Sequence, residues 1–432
     1  MWIVSGLIIA FAFILLLAIG MPVSFSMIAV GFVGMLITVG PDVSLAMLGE
    51  TIYNSTASGA LSSIPLFILM GQVLLKSGIG RDIFMTAQLW LGRIPGGLAS
   101  AAVGACAVFA AMCGSSTATS VTIGTIATPT MIKLGYDKSL ACGVVAAAGA
   151  LGPLIPPSIA LIVYGVAAEV SIGKLFVAAV VPGVLLAIVM IIQVTIMVLM
   201  NPKLAPLTEG ASWEDRIKGL VSLLVPMTII FVVLGSIYLG FATPTESAGL
   251  GTALSIIYAF GSGRIKLKDF IDGLMSSVSF SCMIMLLIVG GGLMGKLVAM
   301  QMIAQNLANF IVHLPISGLM IIAAMEVAIF FGGMLIESCA LILLCTPVFM
   351  PAVIALGFDP IVFGVAFAIN LATAVITPPF AANLYVMKGI MPDVPFYDIT
   401  RGALKFLAAE IIILILVIVF PQISLWLPSM MK

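Results

Sequence analysis

Two short stretches of this chain place backbone oxygens where a membrane helix would not leave them. Gly149-Ala150-Leu151-Gly152-Pro153-Leu154-Ile155-Pro156-Pro157-Ser158 lies inside an apolar run from about residue 141 to 168, and Thr373-Ala374-Val375-Ile376-Thr377-Pro378-Pro379-Phe380 lies inside another from about 361 to 387. Each proline lacks an N–H and its ring displaces the carbonyl four residues back, so Pro153, Pro156 and Pro157 leave carbonyls without helical partners. Lipid cannot satisfy those oxygens; such backbone persists at membrane depth only where it is buried in protein or lines a wet cavity. Unpaired carbonyls beside Ser and Thr hydroxyls make a neutral oxygen cage, which suits a small cation. The competing account is that the prolines only kink two helices while the hydroxyls bond back to their own carbonyls. A repeat argues against it. An offset of 222 carries Pro156 and Pro157 onto Pro378 and Pro379, Leu134, Gly135 and Asp137 onto Leu356, Gly357 and Asp359, and Pro22 onto Pro244. Coincidences in one register indicate an internal duplication.

The elements that must hold these stretches are membrane helices. With 432 residues, 62% hydrophobic and 8% charged, and a mean hydropathy of +1.32, the chain is expected to be an all-α polytopic membrane protein. Zero net charge argues against nucleic acid, which needs clustered Lys and Arg. The six cysteines are scattered without a CxxC and read as small core residues. The apolar run from Trp2 to Ile19 follows no basic residue and is read as a retained span. Spans are expected near 2–20, 22–40, 60–78, 174–200, 218–240, 244–262, 275–295 and 402–430, and the two proline-broken runs bring the crossings to ten. From 97 to 134 and from 318 to 356, apolar segments are interrupted by Cys113-Gly114-Ser115-Ser116-Thr117 and by Gly332-Gly333-Met334-Leu335-Ile336-Glu337-Ser338. Both are read as re-entrant helical hairpins, since a tip pointing into solvent would not need such apolar walls.

Charge orients the chain. The basic loops around Lys203, Arg216 and Lys218, and around Arg264, Lys266 and Lys268, belong to the cytoplasm, which leaves only Lys174, Lys296 and Lys432 of the 17 Lys and Arg outside and puts both termini in the periplasm. Five crossings precede Gly219, so the second half enters the membrane inverted, as in secondary transporters with paired broken helices. The expected first repeat is 1–200, with scaffold spans over 1–78, an interfacial helix at 80–96, and a hairpin and broken helix over 97–168. A cytoplasmic connector at 201–217 carries Pro202, Pro206, Glu209, Glu214 and Asp215. The second repeat, 218–432, has scaffold spans over 218–295, an interfacial helix at 298–316, a hairpin and broken helix over 317–390, and a last span at 402–430.

Cys113-Gly114-Ser115-Ser116-Thr117-Ala118-Thr119, Lys133-Leu134-Gly135-Tyr136-Asp137, Gly152-Pro153-Leu154-Ile155-Pro156-Pro157-Ser158, Tyr164-Gly165, Thr377-Pro378-Pro379 and Asn383-Leu384 together resemble the large membrane subunit of tripartite ATP-independent periplasmic (TRAP) transporters, the DctM-like family. The resemblance spans about 60 to 390 and implies a bacterial inner-membrane importer driven by a sodium gradient. It implies two partners, a small four-helix DctQ-like membrane subunit and a periplasmic substrate-binding protein. The implied substrates are organic acid anions such as sialic acid and C4-dicarboxylates. Two positions depart from the family pattern: Thr130 follows Pro129 where relatives often carry an acid, and the hairpin-tip acid, often Asp, is Glu337.

In that light one expected sodium site joins Gly114, Ser115 and Ser116 to Gly149, Gly152 and Pro156; its repeat partner joins Gly333 and Glu337 to Thr373, Val375 and Thr377. Helix halves restarting near Ser158 and Phe380, and hairpin arms restarting near Ala118 and Ser338, point positive dipole ends at the midplane. An organic anion is expected there against Ser116, Thr117, Ser158 and Asn383, with no Lys or Arg at that depth. Glu337 is read as an ion ligand or gate, and Glu326 as either functional or accounted for by a helix partner or a water-filled cleft. Asp137 and Asp359 are read as helix N-caps. His313 is assigned no role. Gly290-Gly291-Gly292-Leu293-Met294-Gly295 matches a dinucleotide fingerprint, but no strand precedes it, and close helix packing is the better account. No Walker motif, HExxH or Ser-His-Asp order is present, so no enzyme activity and no organic cofactor are expected. The two hairpins and broken helices are expected to move as one block against the other spans, an elevator, as the resemblance implies. The alternatives are an ion channel or a sodium-coupled anion transporter of another family.

Overall fold

The computed structural model describes residues 2–206 and 211–431; Glu209 of the connector and Lys432 of the outer face lie outside the described residues. Among the described residues all regular structure is helical. The first half comprises α1 (Trp2–Ala18), α2 (Val23–Val39), α3 (Pro41–Ala57), α4 (Ser63–Lys76), α5 (Ile79–Leu91), α6 (Gly97–Cys113), α7 (Ser116–Lys133), α8 (Lys138–Gly149), α9 (Ile159–Ala167) and α10 (Ile172–Met200). The second comprises α11 (Trp213–Tyr238), α12 (Pro244–Gly261), α13 (Leu267–Met300), α14 (Ile303–Val312), α15 (Gly318–Gly333), α16 (Ser338–Ala355), α17 (Pro360–Ala374), α18 (Ala382–Ile390), α19 (Phe396–Leu404), α20 (Leu407–Val419) and α21 (Gln422–Leu425).

The offset of 222 read from the prolines holds for the helices: it carries α7 onto α16 residue for residue and the start of α8 onto the start of α17. The turn between each such pair is built alike. Gly135 (φ +86°) and Gly357 (φ +70°) supply the left-handed residue that ends one helix. Asp137 then accepts the Leu140 N–H at 3.0 Å, and Asp359 the Ile361 N–H at 2.7 Å, so both cap the next helix as expected. Each hairpin closes at its base. The Leu98 N–H donates to Tyr136 Oη at 3.2 Å in the first, and a Cβ on Gly318 would touch the Leu356 side chain at 3.6 Å in the second.

Several boundaries differ from the sequence reading. Pro41–Ala57 is a helix that its mixed composition, with Asp42, Glu50 and Asn54, concealed. Where the first half breaks between α3 and α4, the second runs a single helix, α13, through the equivalent positions. Among the described residues five spans are long and apolar enough to cross a bilayer: α10, α11, α13, α16 and the α19–α20 pair taken together over Phe396–Val419. The other expected crossings are shorter, broken or, like α12, less apolar; α4 and α5 bend by 69° where they meet. The interfacial helices are shorter than expected, α5 ending at Leu91 and α14 running only from Ile303 to Val312, because α13 extends to Met300. The connector ends at Ser212, whose hydroxyl accepts the Asp215 N–H at 3.1 Å and starts α11 inside the stretch read as loop. The last span starts at Phe396, turns at Lys405 and Phe406, and ends at Val419 before Pro421, so 402–430 is not one helix.

The helices pack in two groups. α2 lies along α13, α4 along α12, and α11 against α12. The hairpins enclose α8 and α17, in which every residue from Leu140 to Gly149 and from Val362 to Ala374 is buried. Helices buried all round need no polar face, which is why their sequences show no amphipathic stripe. α10 and α19–α20, expected with the scaffold, belong to the hairpin group. Gly143 and Gly402 let the α8 and α19 backbones touch, Ser139 Oγ donates to the Asp398 carbonyl at 2.7 Å, and Gln193 Nε2 donates to the Lys405 carbonyl. α5 packs on both α6 and α11, and α14 on both α16 and α13, so these two short helices join the groups.

Candidate functional site: hairpin tips against broken helices

The first hairpin ends its inward arm at Gly114, which takes a left-handed conformation (φ +59°) and returns its N–H to the Ala110 carbonyl at 2.9 Å. Ser115 then caps α7, its hydroxyl accepting the Ala118 N–H. This tip rests backbone to backbone on the first double-proline break. A Cβ on Gly114 would lie 2.2 Å from the Pro157 carbonyl oxygen, and one on Gly152 would lie 2.5 Å from the Ser115 carbonyl carbon. Gly149 meets Ser120 in the same way, its would-be Cβ 1.9 Å from Oγ. All six residues of the expected first site, Gly114, Ser115, Ser116, Gly149, Gly152 and Pro156, therefore fall at one junction. Within the break Ser158 donates to the Pro153 carbonyl and accepts the Leu161 N–H, which restarts the chain as α9. Among the described residues, the carbonyls of Gly152, Leu154, Ile155, Pro156 and Pro157 accept no hydrogen bond, and Ser120 Oγ is buried without a partner.

The second junction is assembled with more side chain. Gly333 faces the Ala374 methyl, with a would-be Cβ 2.6 Å away, and the Phe380 N–H donates to the Met334 carbonyl at 3.0 Å, which fastens the tip to the break. Glu337, at the position that Ser115 holds in the first hairpin, caps α16 by accepting the Cys339 and Ala340 N–H groups at 3.0 and 3.3 Å. Thr377 Oγ1 donates to the Thr373 carbonyl at 2.7 Å, and Val375 O accepts the Asn383 N–H at 3.1 Å. The Val375 carbonyl keeps a second lone pair, whereas the Thr373 carbonyl also accepts the Ile376 N–H at 3.4 Å. The Ile376, Thr377 and Pro378 carbonyls accept no hydrogen bond among the described residues. Pro156-Pro157 and Pro378-Pro379 are both cis.

The two junctions open on one cavity of about 200 Å³, walled by Ser115, Ser116 and Thr117 from the first hairpin and by Glu337, Cys339 and Val375 from the second half. A neighbouring cavity of about 340 Å³ shares Ser115, Thr117, Ile159 and Phe280 and extends the space toward α4 and α13. Ser116 and Thr117 thus stand where the sequence placed an anion, at the N-terminal end of α7. Ser158 and Asn383 do not. Both are fully buried behind the wall and committed elsewhere, Ser158 to Pro153 and Leu161, Asn383 to the Ala146 carbonyl at 2.9 Å. Asn383 thereby ties the two broken helices together, as does Tyr164, whose Oη donates to the Pro360 carbonyl at 2.7 Å.

Sequence reasoning missed two residues. Ser120 lies one turn past Ser116 on the same face of α7, and Asn370 lies one turn before Thr373. Helical spacing alone would have found them. Asn370 also answers the question of Glu326: its Nδ2 donates to Glu326 Oε2 at 2.9 Å, so the acid has a helix partner. Among the described residues no group of three His, Cys, Asp or Glu side chains could hold a transition metal.

Paired hairpins laid on paired broken helices, with both tips lining a shared cavity, define a membrane-transport architecture. The family described as "Tripartite ATP-independent periplasmic transporter, DctM component" matches residues 10–423, and the chain belongs to it. It is 34% identical over 390 residues to the C4-dicarboxylate TRAP transporter large permease protein DctM of Pseudomonas aeruginosa, covering 90% of each chain. It is 32% identical over 426 residues to the sialic acid TRAP transporter large permease protein SiaM of Vibrio cholerae, covering 97% of each. In fold it is similar to the Alcanivorax borkumensis YdaH transporter, with a TM-score of 0.65 at 14% identity over 94% of this chain and 97% of that one. The protein is therefore a multi-pass membrane permease component.

Proposed function

We propose that this chain is the transport subunit of a bacterial inner-membrane importer that couples the entry of an organic acid anion to sodium, with both termini in the periplasm. The observation that carries the reading is the set of carbonyls that accept no hydrogen bond among the described residues, six in the first break once Ala150 is included and four in the second with Phe380, near tip hydroxyls that open on one cavity. Sodium would take oxygens of Gly114, Ser115, Ser116, Gly149, Gly152 and Pro156 at the first junction. At the second it would take those of Gly333, Glu337, Thr373, Val375 and Thr377. The anion would lie against Ser116 and Thr117 at the N-terminus of α7, whose amide dipoles favour negative charge. Ser158 and Asn383 would hold the wall in place behind it. With no Lys or Arg lining the cavity, the grip on a carboxylate is weak and release is easy. Ion and anion share one cavity, so each binding event stabilises the arrangement the other needs.

The hairpin group, enlarged by α10 and α19–α20, would move as a block against the α1–α4 and α11–α13 group, with α5 and α14 as the arms between them. A substrate-binding protein and a small DctQ-like membrane subunit would complete the assembly, as the word tripartite in the family description suggests. The named relatives make C4-dicarboxylates and sialic acid the first substrates to try. The test is uptake of labelled succinate and of labelled sialic acid into proteoliposomes that hold the full complex. Uptake should saturate, require a sodium gradient and require the binding protein. Current that flows without the binding protein would identify a channel instead, and uptake indifferent to sodium would remove the coupling.

A further inference from the structure

Glu326 and Asn370 lie in the hairpin group, between α15 and α17, where no solvent reaches them. Both protons of the Asn370 amide go to Glu326, one to Oε2 and one to its main-chain oxygen. The main-chain oxygen of Glu326 can only accept, so the NH₂ must face it and Asn370 Oδ1 must face the other way. On that other side is Thr373, whose Oγ1 lies 2.5 Å from the Asn370 carbonyl and 3.2 Å from Oδ1. The Thr373 proton goes back to the nearer Asn370 carbonyl, and Oδ1 on this side, unlike the NH₂, donates nothing to the Thr373 lone pairs. A hydroxyl can ligate a cation only through its lone pairs, and directing its proton backward frees them to point toward the break.

Fold stability does not explain the arrangement. The offset of 222 puts Gly104, Ala148 and Leu151 at the corresponding places in the first repeat, where the same helices pack without a polar group. Glu326 Oε1 is also left buried without a partner, a costly state for a carboxyl kept only for packing. We propose that Glu326 is a positioning residue for the second cation site, fixing the Asn370 amide so that the Thr373 hydroxyl offers its lone pairs to the ion. This rests on the sodium reading above.

The test uses the full-length chain purified in detergent, with sodium chloride replacing potassium chloride at constant ionic strength. The thermal midpoint rises with sodium as the folded state binds it, and the sodium concentration giving half the rise reports affinity. Glu326→Leu leaves the main-chain acceptor at 326 in place, so the loss is partial, a half-point raised about three- to tenfold. Glu326→Gln keeps a carbonyl for the Asn370 amide and should return the half-point to about the wild-type value. Thr373→Ala should raise it similarly, and the double variant should add little, because both act on one ligand. A structural role would lower the midpoint equally in both salts and leave the half-point unmoved, which overturns the proposal. Asn370→Ala provides a second route if Glu326→Leu does not fold: an unmoved half-point there also overturns it. Thr373→Ala without effect would instead remove the second ion site itself, a result distinguishable from failure of the positioning role.

Discussion

The two repeats share a broken backbone and differ in where they carry polar side chains. At the first junction the hydroxyls belong to the hairpin, Ser115, Ser116, Thr119 and Ser120, while the facing break carries Leu151, Pro153 and Ile155. At the second the same offset gives Glu337, Ser338, Leu341 and Ile342 on the hairpin and Thr373, Val375 and Thr377 on the break. The second hairpin keeps polar residues at Glu337 and Ser338 but carries Leu341 and Ile342 where the first has hydroxyls, the second break gains Thr373 and Thr377, and the double prolines keep their register. The duplicated feature is thus the backbone interruption, while the side chains around it differ. Both tips touch their breaks through a glycine and main chain, the first by Gly114 and Gly152, the second by Gly333 against the Ala374 methyl and by the Phe380 N–H on the Met334 carbonyl.

That contrast can be tested by substitution, the strongest effects first. Gly114→Ala adds a methyl 2.2 Å from the Pro157 carbonyl at a residue with φ +59°, and neither backbone can yield. Transport should fall below detection in the proteoliposome assay, whereas Ile336→Ala at the equivalent second position should retain it; equal loss would mean the two tips are built alike. Glu337→Gln keeps an oxygen to cap α16 but removes the charge, so thermal stability should hold while the sodium concentration for half-maximal uptake rises about tenfold, as for loss of a charged ligand. Ser115→Ala, its counterpart, should instead lose about 1 kcal/mol of cap stability, read from denaturation. Asn383→Ala removes the tie to Ala146 and should cost about 1 kcal/mol without changing sodium dependence. Smallest are Asp137→Ala and Asp359→Ala, which should each cost about 1 kcal/mol or less and by equal amounts, since both repeats cap this helix alike.

Some corrections share a physical origin. The placement of α10 and α19–α20 with the hairpin group depends on Gly143 meeting Gly402 and on Gln193 reaching Lys405, contacts between residues more than 200 positions apart. No local pattern encodes them. Ser158 and Asn383 were read as anion contacts because both are polar beside a break, and each proved to be bonded to a carbonyl within the protein. A polar residue near a site and a polar residue facing it look the same in sequence. The helix over Pro41–Ala57 was missed for another reason, as its charges hide a helix that the fold supports through contacts with α2 and α13.

The sequence by itself determined that the chain spans a membrane, that it contains one unit twice, and that prolines at matched positions interrupt two helices. Those properties follow from composition and from the missing N–H of proline, which need no knowledge of neighbours. Only the tertiary structure decided that both tips open on a single cavity, that Glu337 serves as a cap, and that Glu326, Asn370 and Thr373 form one chain of hydrogen bonds. Direction of a side chain toward a partner is set by the packing of whole helices, and that is a property of the assembled fold.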